Sequence, residues 1–219
     1  MDRPNPATSC PPKPCADYLV PYQEVVDRCG AGFEALLWTS RQSQHARFKA
    51  TTDMICTRGK RLLDAGCGTA DFLAHLNDSK IHYDHYTGMD ALPELLDKGR
   101  FISEPRSEFI HADFVADAAA FTRVHPTPDI IVFSGSLNTL RQTQALAVLE
   151  HAWPACREAL VFNFLCAGPC DPPIKGDCGP AHRFETLTLL RWALARTPMI
   201  SFRSDYLDGR DGTILMRKR

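Results

Sequence analysis

Residues 61–73 read Arg61-Leu-Leu-Asp64-Ala-Gly66-Cys-Gly68-Thr-Ala70-Asp71-Phe72-Leu73, and this stretch decides the fold. Its apolar start predicts a strand, its two glycines predict a tight turn, and the residues from Ala70 onward predict a helix capped by Thr69. In such a unit the glycines let the backbone approach a ligand closely, while the N-terminus of the helix points at it. The stretch therefore predicts a ligand-binding turn within an α/β sheet.

The charge of this turn separates two classes of ligand. A dinucleotide site follows G-x-G-x-x-G, but counting from Gly66 the third glycine position holds Asp71. A carboxylate there repels a pyrophosphate, whereas S-adenosylmethionine has a cationic sulfonium, an ammonium group and no phosphate. Asp64 at the strand end adds a further negative charge. The turn therefore favours S-adenosylmethionine over NAD as the cofactor.

Two later acids are predicted to end strands of the same sheet. Asp90 follows Gly68 by 90 − 68 = 22 positions, where an acid reaches both ribose hydroxyls of a nucleoside that lies across the sheet. Asp113 closes a third predicted strand, and we expect it to accept a hydrogen bond from the adenine amino group, with Phe114 against the ring. These positions complete a predicted nucleoside site.

Short apolar runs alternate with amphipathic segments on the C-terminal side of the turn. Strands are predicted at 61–65, 82–89, 109–112, 130–133 and 160–165. Helices are predicted between them at 70–76, 92–98, 114–121 and 141–153. The alternation predicts a parallel sheet that is covered by helices on both faces. A helix at 184–196 and an antiparallel hairpin of strands 200–207 and 212–217 are predicted to follow.

Together, the glycine turn, Asp90, Asp113 and the strand order resemble the class I S-adenosylmethionine-dependent methyltransferases, from about Arg61 to the C-terminus. The turn matches their D-x-G-x-G-x-G motif, except that Ala70 replaces the last glycine. The resemblance implies an α/β fold with a Rossmann-like, seven-stranded, mostly parallel sheet, an antiparallel last strand and helices on both faces. In this part of the chain the expected cofactor contacts are Asp64, Ala65, Gly66, Cys67, Gly68, Asp71, Phe72, Asp90, Ala91, Asp113, Phe114, Ser134 and Gly135.

The chain is predicted to have three parts. Residues 1–15 contain five prolines and almost no large apolar side chains, which predicts a disordered arm. Residues 16–58 predict an N-terminal helical cap of two helices, the second of which is capped by Ser40. Residues 59–219 form the predicted S-adenosylmethionine-binding methyltransferase domain.

One segment of the helical cap, Leu37-Trp38-Thr-Ser40-Arg-Gln-Ser-Gln44-His-Ala-Arg47-Phe48, resembles the W-x-S-x-x-S-Q-x-x-R-F segment of some bacterial small-molecule methyltransferases. Trp38, Gln44 and Arg47 are therefore further predicted cofactor contacts. Gln44 and Arg47 lie three positions apart on one helix face, and Arg47 is placed to pair with the methionine carboxylate of the donor. The alternative is that this face is solvated.

The acceptor side is less distinctive. The strand at 130–133 is followed by Ser134-Gly-Ser136-Leu-Asn138, where the transferred methyl group should point. Neither N-P-P-Y nor D-P-P-Y occurs there, so methylation of base amino groups is not indicated. We predict Ser136 as a hydrogen-bonding catalytic residue and His182 as a candidate general base. His182 lies in a loop that follows the fifth strand and is predicted to form a lid over the acceptor.

The same loop offers a candidate metal site. Cys166, Cys170, Cys178 and His182 have a C-x3-C-x7-C-x3-H spacing, which fits either four zinc ligands or reduced cysteines in a lid. Because the gaps are wider than the usual C-x2-C, we expect no metal.

Composition limits the partners. With 25 Lys and Arg against 26 Asp and Glu, the 219-residue chain has a formal net charge of −1, so we expect no nucleic-acid partner. No apolar run reaches the length of a membrane span and no secretory leader is apparent, so we expect no membrane partner and a cytoplasmic protein. The expected function is methylation of a small-molecule acceptor. The alternatives are another use of the donor, or a non-catalytic regulatory or partner subunit.

Overall fold

The computed structural model of the chain describes residues 16–102, 105–167 and 179–219. The predicted arm of residues 1–15 lies outside the described residues, as do Cys170 and Cys178. Within the described ranges the strands are β1 (Arg61–Ala65), β2 (His85–Asp90), β3 (Ser107–His111), β4 (Ile130–Phe133), β5 (Ala159–Ala167), β6 (Phe184–Glu185), β7 (Ile200–Arg203) and β8 (Asp211–Arg217). The α-helices there are α1 (Val20–Cys29), α2 (Arg41–Met54), α3 (Asp71–Asp78), α4 (Pro93–Arg100), α5 (Gln142–Ala155) and α6 (Thr186–Leu194).

In this part of the chain the strands form one sheet in the order β3-β2-β1-β4-β5-β8-β7. Strands β1 to β5 pair in parallel, whereas β8 runs antiparallel to both β5 and β7. The two-residue β6 pairs in parallel with β5 beside this path, which adds one short strand to the predicted seven. The predicted fold class is confirmed. The C-terminal hairpin is also observed, although β7 ends at Arg203 rather than at residue 207.

Apolar side chains of the central strands are buried on both faces, as expected for a sheet between two helical layers. On one face, Phe133 and Phe162 lie in a large buried cluster with Leu149 of α5. On the other face, Phe48 of α2 packs against Phe72 of α3, with 5.3 Å between the ring centroids. Helix α2 is therefore part of the helical layer that covers the sheet.

The starts of α2 and α3 are set in different ways. Ser40 caps α2 as predicted, because its Oγ accepts the N–H of Ser43 at 3.1 Å and Ser43 Oγ accepts the N–H of Ser40 at 3.2 Å. The prediction that Thr69 caps α3 is wrong. The residue before this helix is Ala70 in the left-handed region at φ 62°, and Thr69 Oγ1 donates instead to Asp71 Oδ1 at 3.2 Å.

The predicted helix over residues 114–121 is also wrong. The stretch consists of turns and ends in a 3-10 turn at Phe121–Arg123. Asp113 accounts for the difference, because its Oδ1 accepts the N–H groups of Val115 and Ala116 at 3.0 and 3.1 Å. Such local side-chain bonds offer the backbone an alternative to the helix.

The carboxyl ends of β1, β2 and β4 meet at one edge of the sheet, with β1 between its two parallel neighbours. The chain order reverses here, since β2 and β3 lie on one side of β1 while β4 and β5 lie on the other. Open parallel sheets bind ligands in the crevice at such a switch point. Among residues 16–102, 105–167 and 179–219, no helix is long and apolar enough to cross a membrane.

Candidate functional site

A cleft of about 1700 Å³, including its open mouth, lies at this switch point. Of the described residues that the sequence predicts as site residues, Ala65 and His182 do not line the cleft. Those that do line it are Trp38, Gln44, Arg47, Asp64, Gly66, Cys67, Gly68, Asp71, Phe72, Asp90, Ala91, Asp113, Phe114, Ser134, Gly135 and Ser136. The fold thus brings together residues that are far apart in the sequence.

The glycine turn between β1 and α3 forms the floor of the cleft. Gly66 has φ +77°, and a Cβ added to it would lie 2.2 Å from Ser136 Cβ. Gly68 has φ +54°, and a Cβ there would lie 2.5 Å from Leu36 Cδ2. Both positive φ values favour glycine, and Gly66 in addition has no room for a Cβ, whereas at Gly68 the flexible Leu36 side chain can move aside.

The side chain of Ser136, which the sequence predicts as catalytic, forms a hydrogen bond with the backbone at the end of β1. Its Oγ donates to the carbonyl oxygen of Ala65 at 2.6 Å, which ties the loop after β4 to the end of β1. This contact gives Ser136 a positioning role at the turn, and Ala65 contributes through its backbone rather than by lining the cleft.

Asp90 holds two separate parts of the cleft. Its Oδ2 accepts the N–H of Gly68 at 2.8 Å, and its Oδ1 accepts the N–H of Leu92 at 3.0 Å, just before α4. Each carboxylate oxygen has a second lone pair for a ligand hydroxyl. Burial raises the pKa of Asp90, although hydrogen bonds from the backbone N–H groups of Leu92, Gly68 and Ala91 partly offset this effect.

Asp64 is a second buried acid at the floor. The Tyr86 hydroxyl of β2 donates to Asp64 Oδ2 at 2.6 Å. Burial raises the pKa of Asp64 to about 7, and the negative charges of Asp90 and Asp71 act in the same direction. A cationic ligand in the cleft stabilises the ionised form of this acid.

Asp71 is the acid that occupies the third glycine position of a dinucleotide motif. Gln44 Nε2 donates to Asp71 Oδ2 at 2.7 Å, so the predicted Gln44 side chain fastens α2 to the start of α3. Next to the glycine turn, the cleft wall therefore consists of the carboxylates of Asp64 and Asp71 and the side-chain amide of Gln44 from α2.

Asp113 and Phe114 lie at the far side of the turn, after β3. Asp113 Oδ2 accepts a hydrogen bond from the Tyr18 hydroxyl at 2.8 Å. Phe114 stacks on Phe121 with 5.6 Å between ring centroids, and Phe133 of β4 packs nearly perpendicular to it with 5.7 Å between ring centroids. The sequence predicts Tyr18 only as one buried position of a helix, so its hydroxyl contact was missed.

Arg47 has an acidic partner that the sequence analysis missed. Its Nε donates to Asp211 Oδ1 at the start of β8, and its guanidinium lies 4.8 Å from the centre of the Trp38 ring. Arg47 is 7% exposed and Asp211 is 2% exposed, so the alternative of a solvated helix face is wrong here. Asp211 occurs in a run of turn residues, Asp208-Gly-Arg-Asp-Gly212, which predicts only a hairpin.

The loop after β4 is fixed by a buried amide of β5. Asn163 Oδ1 accepts the N–H of Gly135 at 2.8 Å, and Asn163 Nδ2 donates to Ser134 Oγ at 3.1 Å. A Cβ on Gly135 would lie 2.7 Å from the Trp38 ring, so the indole packs directly on this loop. Asn163 is the one polar residue in Leu160-Val-Phe-Asn-Phe-Leu165. A single polar residue within an apolar strand is the sequence signal that could have identified it.

His182, the predicted general base, is exposed, and its imidazole does not line the cleft within the described residues. Its backbone N–H donates to the carbonyl oxygen of Asn138 at 2.6 Å. The structure therefore gives no support to a catalytic imidazole here. Two of the candidate zinc ligands lie outside the described residues, and the described residues contain no group of three or more metal-binding side chains.

Further residues that the sequence analysis missed also line the cleft. Tyr22 of α1 hydrogen-bonds Thr139, and burial raises the pKa of its hydroxyl to about 12. The other missed lining residues include Leu140, Leu165, Pro180, Ala181, Arg183, Leu207, Asp208 and Arg210. They come from four separate segments that meet only in the folded chain.

Solved structures share this fold. Haemonchus contortus phosphoethanolamine N-methyltransferase 1, in complex with phosphoethanolamine and S-adenosylhomocysteine, is 13% identical with a TM-score of 0.65, over 91% of this chain and 48% of that chain. The DhpI–SAH complex is 15% identical with a TM-score of 0.64, over 91% of this chain and 94% of that chain. The small RNA methyltransferase HEN1 is 15% identical with a TM-score of 0.61, over 82% of this chain and 25% of that chain. This chain thus spans about half of the first protein and a quarter of the third.

No curated protein sequence gives a significant match. The sequence model of the family described as "Methyltransferase domain" matches residues 37–156, which is more than half of the chain. The matched range runs from Trp38 and α2 through the glycine turn, Asp90 and Asp113 to the end of α5. The chain therefore belongs to the methyltransferase domain family, and the predicted class I methyltransferase is confirmed.

Proposed function

We propose that this methyltransferase transfers the methyl group of S-adenosylmethionine to a small-molecule acceptor. The acidic floor of the cleft carries the proposal. Asp64, Asp71 and Asp90 all line it, beside a glycine turn of the kind that binds nucleotides. This charge suits a cationic sulfonium donor and opposes a pyrophosphate.

The contacts suggest how the donor lies in the cleft. Asp90 is proposed to accept the ribose hydroxyls, with Asp113 and Phe114 at the adenine and Asp64 near the methionine ammonium group. Arg47 uses Nε for Asp211, so we assign its terminal amino groups to the methionine carboxylate.

The sulfonium is proposed to lie near Ser134 and Gly135, because Asn163 holds this loop rigidly at the carboxyl end of β4. Methyl transfer from a sulfonium is an in-line displacement, and the donor arrives already activated. Alignment of the two reactants can supply about 7–11 kcal/mol of the barrier. The cleft therefore needs to orient the acceptor, and a general base is required only when the acceptor must lose a proton.

Calorimetric titration with S-adenosylhomocysteine and with NAD tests the donor assignment. We expect S-adenosylhomocysteine to bind and NAD not to bind. Asp90→Ala should weaken binding by about 1.5–3 kcal/mol, which is the range for hydrogen bonds to a charged group. Asp97→Ala is the matched control, because this acid of α4 is exposed and pairs only with Arg100 among the contacts described for it.

Labelled donor and a panel of phenols, amines and carboxylic acids test the acceptor class. Label should appear in a small-molecule product. NAD binding without binding of S-adenosylhomocysteine would overturn the donor assignment. Transfer to RNA, with none to the small molecules, would instead place the acceptor in the class of the HEN1 substrate.

A further inference from the structure

Asn138 lies in the wall of the cleft with an unused hydrogen-bond acceptor. Its residue exposure is 9%, and its Oδ1 has no hydrogen-bond partner among the described residues. Two other buried side-chain atoms are unpaired in the same sense, Thr51 Oγ1 and Arg196 Nε, but neither residue lines the cleft. A buried carbonyl without a hydrogen-bond partner destabilises the protein. Its presence in the lining of a ligand cleft therefore needs a physical explanation, and a donor group of a ligand is one.

The backbone of Asn138 is held on both sides. Its N–H donates to the carbonyl oxygen of Gly135 at 3.2 Å, and its own carbonyl oxygen accepts the N–H of His182 at 2.6 Å. The side chain is therefore presented from a fixed backbone, between the loop after β4 and the segment that precedes β6. Both segments lie on the side of the cleft away from Asp90 and Asp113, which are the proposed contacts of the donor nucleoside.

The cleft that Asn138 lines has apolar side chains in its wall. Trp38, Leu140 and Leu165 line the same cleft, and the guanidinium of Arg47 is neutralised by Asp211. An apolar wall with a few fixed polar atoms is typical of sites that orient a small ligand.

We propose that Asn138 Oδ1 accepts a hydrogen bond from an N–H or O–H group of the methyl acceptor, and that this contact determines acceptor specificity. The inference rests on the proposed small-molecule function and narrows its substrate class to molecules with an apolar body and a hydroxyl or N–H group. A site of this kind strongly rejects an analogue without the hydrogen, because the buried carbonyl is then left unpaired.

Asn138→Leu tests the proposal, since leucine keeps the branched shape and removes both polar atoms. Three quantities are measured: the Tm of the ligand-free protein, the Kd of S-adenosylhomocysteine, and kcat/KM for an acceptor found with the panel described above. We expect the Tm to rise by roughly 2–4 °C, because an unpaired buried carbonyl is removed. The Kd should stay within about twofold, and kcat/KM should fall by at least about 100-fold.

Thr51→Val is the matched control. It removes another unpaired buried oxygen at constant shape, from a residue that does not line the cleft. The control should also raise the Tm, and it should leave kcat/KM unchanged.

A lower Tm for Asn138→Leu would overturn the proposal, because the carbonyl would then be paired in the free protein. A large loss of affinity for S-adenosylhomocysteine would also overturn it and would place Asn138 at the donor. An unchanged kcat/KM would show that Asn138 makes no contact with the acceptor and would also overturn the proposal. Failure of the proposed function has a different signature, because the unsubstituted protein then methylates no compound of the panel, whereas failure of the acceptor contact alone leaves the unsubstituted protein and Asn138→Leu equally active.

Discussion

Replacing Arg47 by methionine tests the ion pair that joins α2 to β8. Arg47 and Asp211 are 7% and 2% exposed, so the substitution leaves a buried carboxylate without its counter-charge. Breaking a buried pair from one side costs about 3–5 kcal/mol. Since each kcal/mol lowers the Tm of a chain of this size by roughly 2–4 °C, we expect a loss of about 6–20 °C. Thermal and urea unfolding measure it.

The control for this experiment lies on the same helix. Lys49 pairs with Asp53 across one turn of α2, but the two side chains are 63% and 37% exposed. An exposed pair contributes about 0–1 kcal/mol, so Lys49→Met should barely change the Tm. If Arg47→Met proves as stable as this control, the burial argument for the pair is refuted.

Donor binding is measured on the same variants. If the terminal amino groups of Arg47 also hold the donor carboxylate, Arg47→Met should weaken binding of S-adenosylhomocysteine by about 1.5–3 kcal/mol. The double variant Arg47→Met/Asp211→Leu removes both buried charges and should regain most of the stability. Its donor affinity should stay low. Recovery of affinity together with stability would show that Arg47 acts only through the fold.

Two further predictions concern the floor of the cleft. Gly66→Ala should lower the free energy of unfolding by more than about 2 kcal/mol and abolish binding of S-adenosylhomocysteine, because φ is +77° and the new Cβ would displace Ser136. Gly59→Ala is the control, because Gly59 has φ +70° but no atom within 4 Å of the added Cβ. This variant should show the conformational cost alone and bind S-adenosylhomocysteine normally. Asp64 has a pKa raised from 3.8 to about 7, so the unfolded chain binds fewer protons between these values and stability should fall as pH rises through them, by up to about 4 kcal/mol. Asp64→Asn should flatten this dependence in urea unfolding between pH 5 and 8, and an unchanged slope would contradict the buried-acid assignment.

Local features of the sequence determined most of the strands and the position of the glycine turn. Strands β1 and β4 were predicted to the residue. A central parallel strand is buried on both faces, so β4 reads as a continuous apolar segment, and β1 is apolar apart from Arg61 and Asp64. Ser40 marked the start of α2 because its cap involves a residue only three positions away. The predictions that failed were also local: the side chain of Asp113 diverted the backbone from a helix, and Thr69 bonds Asp71 rather than capping α3.

The tertiary structure decided the partners of the site residues. Arg47 meets Asp211 across 164 positions of sequence, Tyr18 meets Asp113 across 95, and Gly135 meets Asn163 across 28. Each of these residues taken alone is compatible with an exposed turn, a core position or a ligand contact. Only the folded sheet selects among them, because burial removes the water that otherwise satisfies a polar group and so fixes which distant group must pair with it.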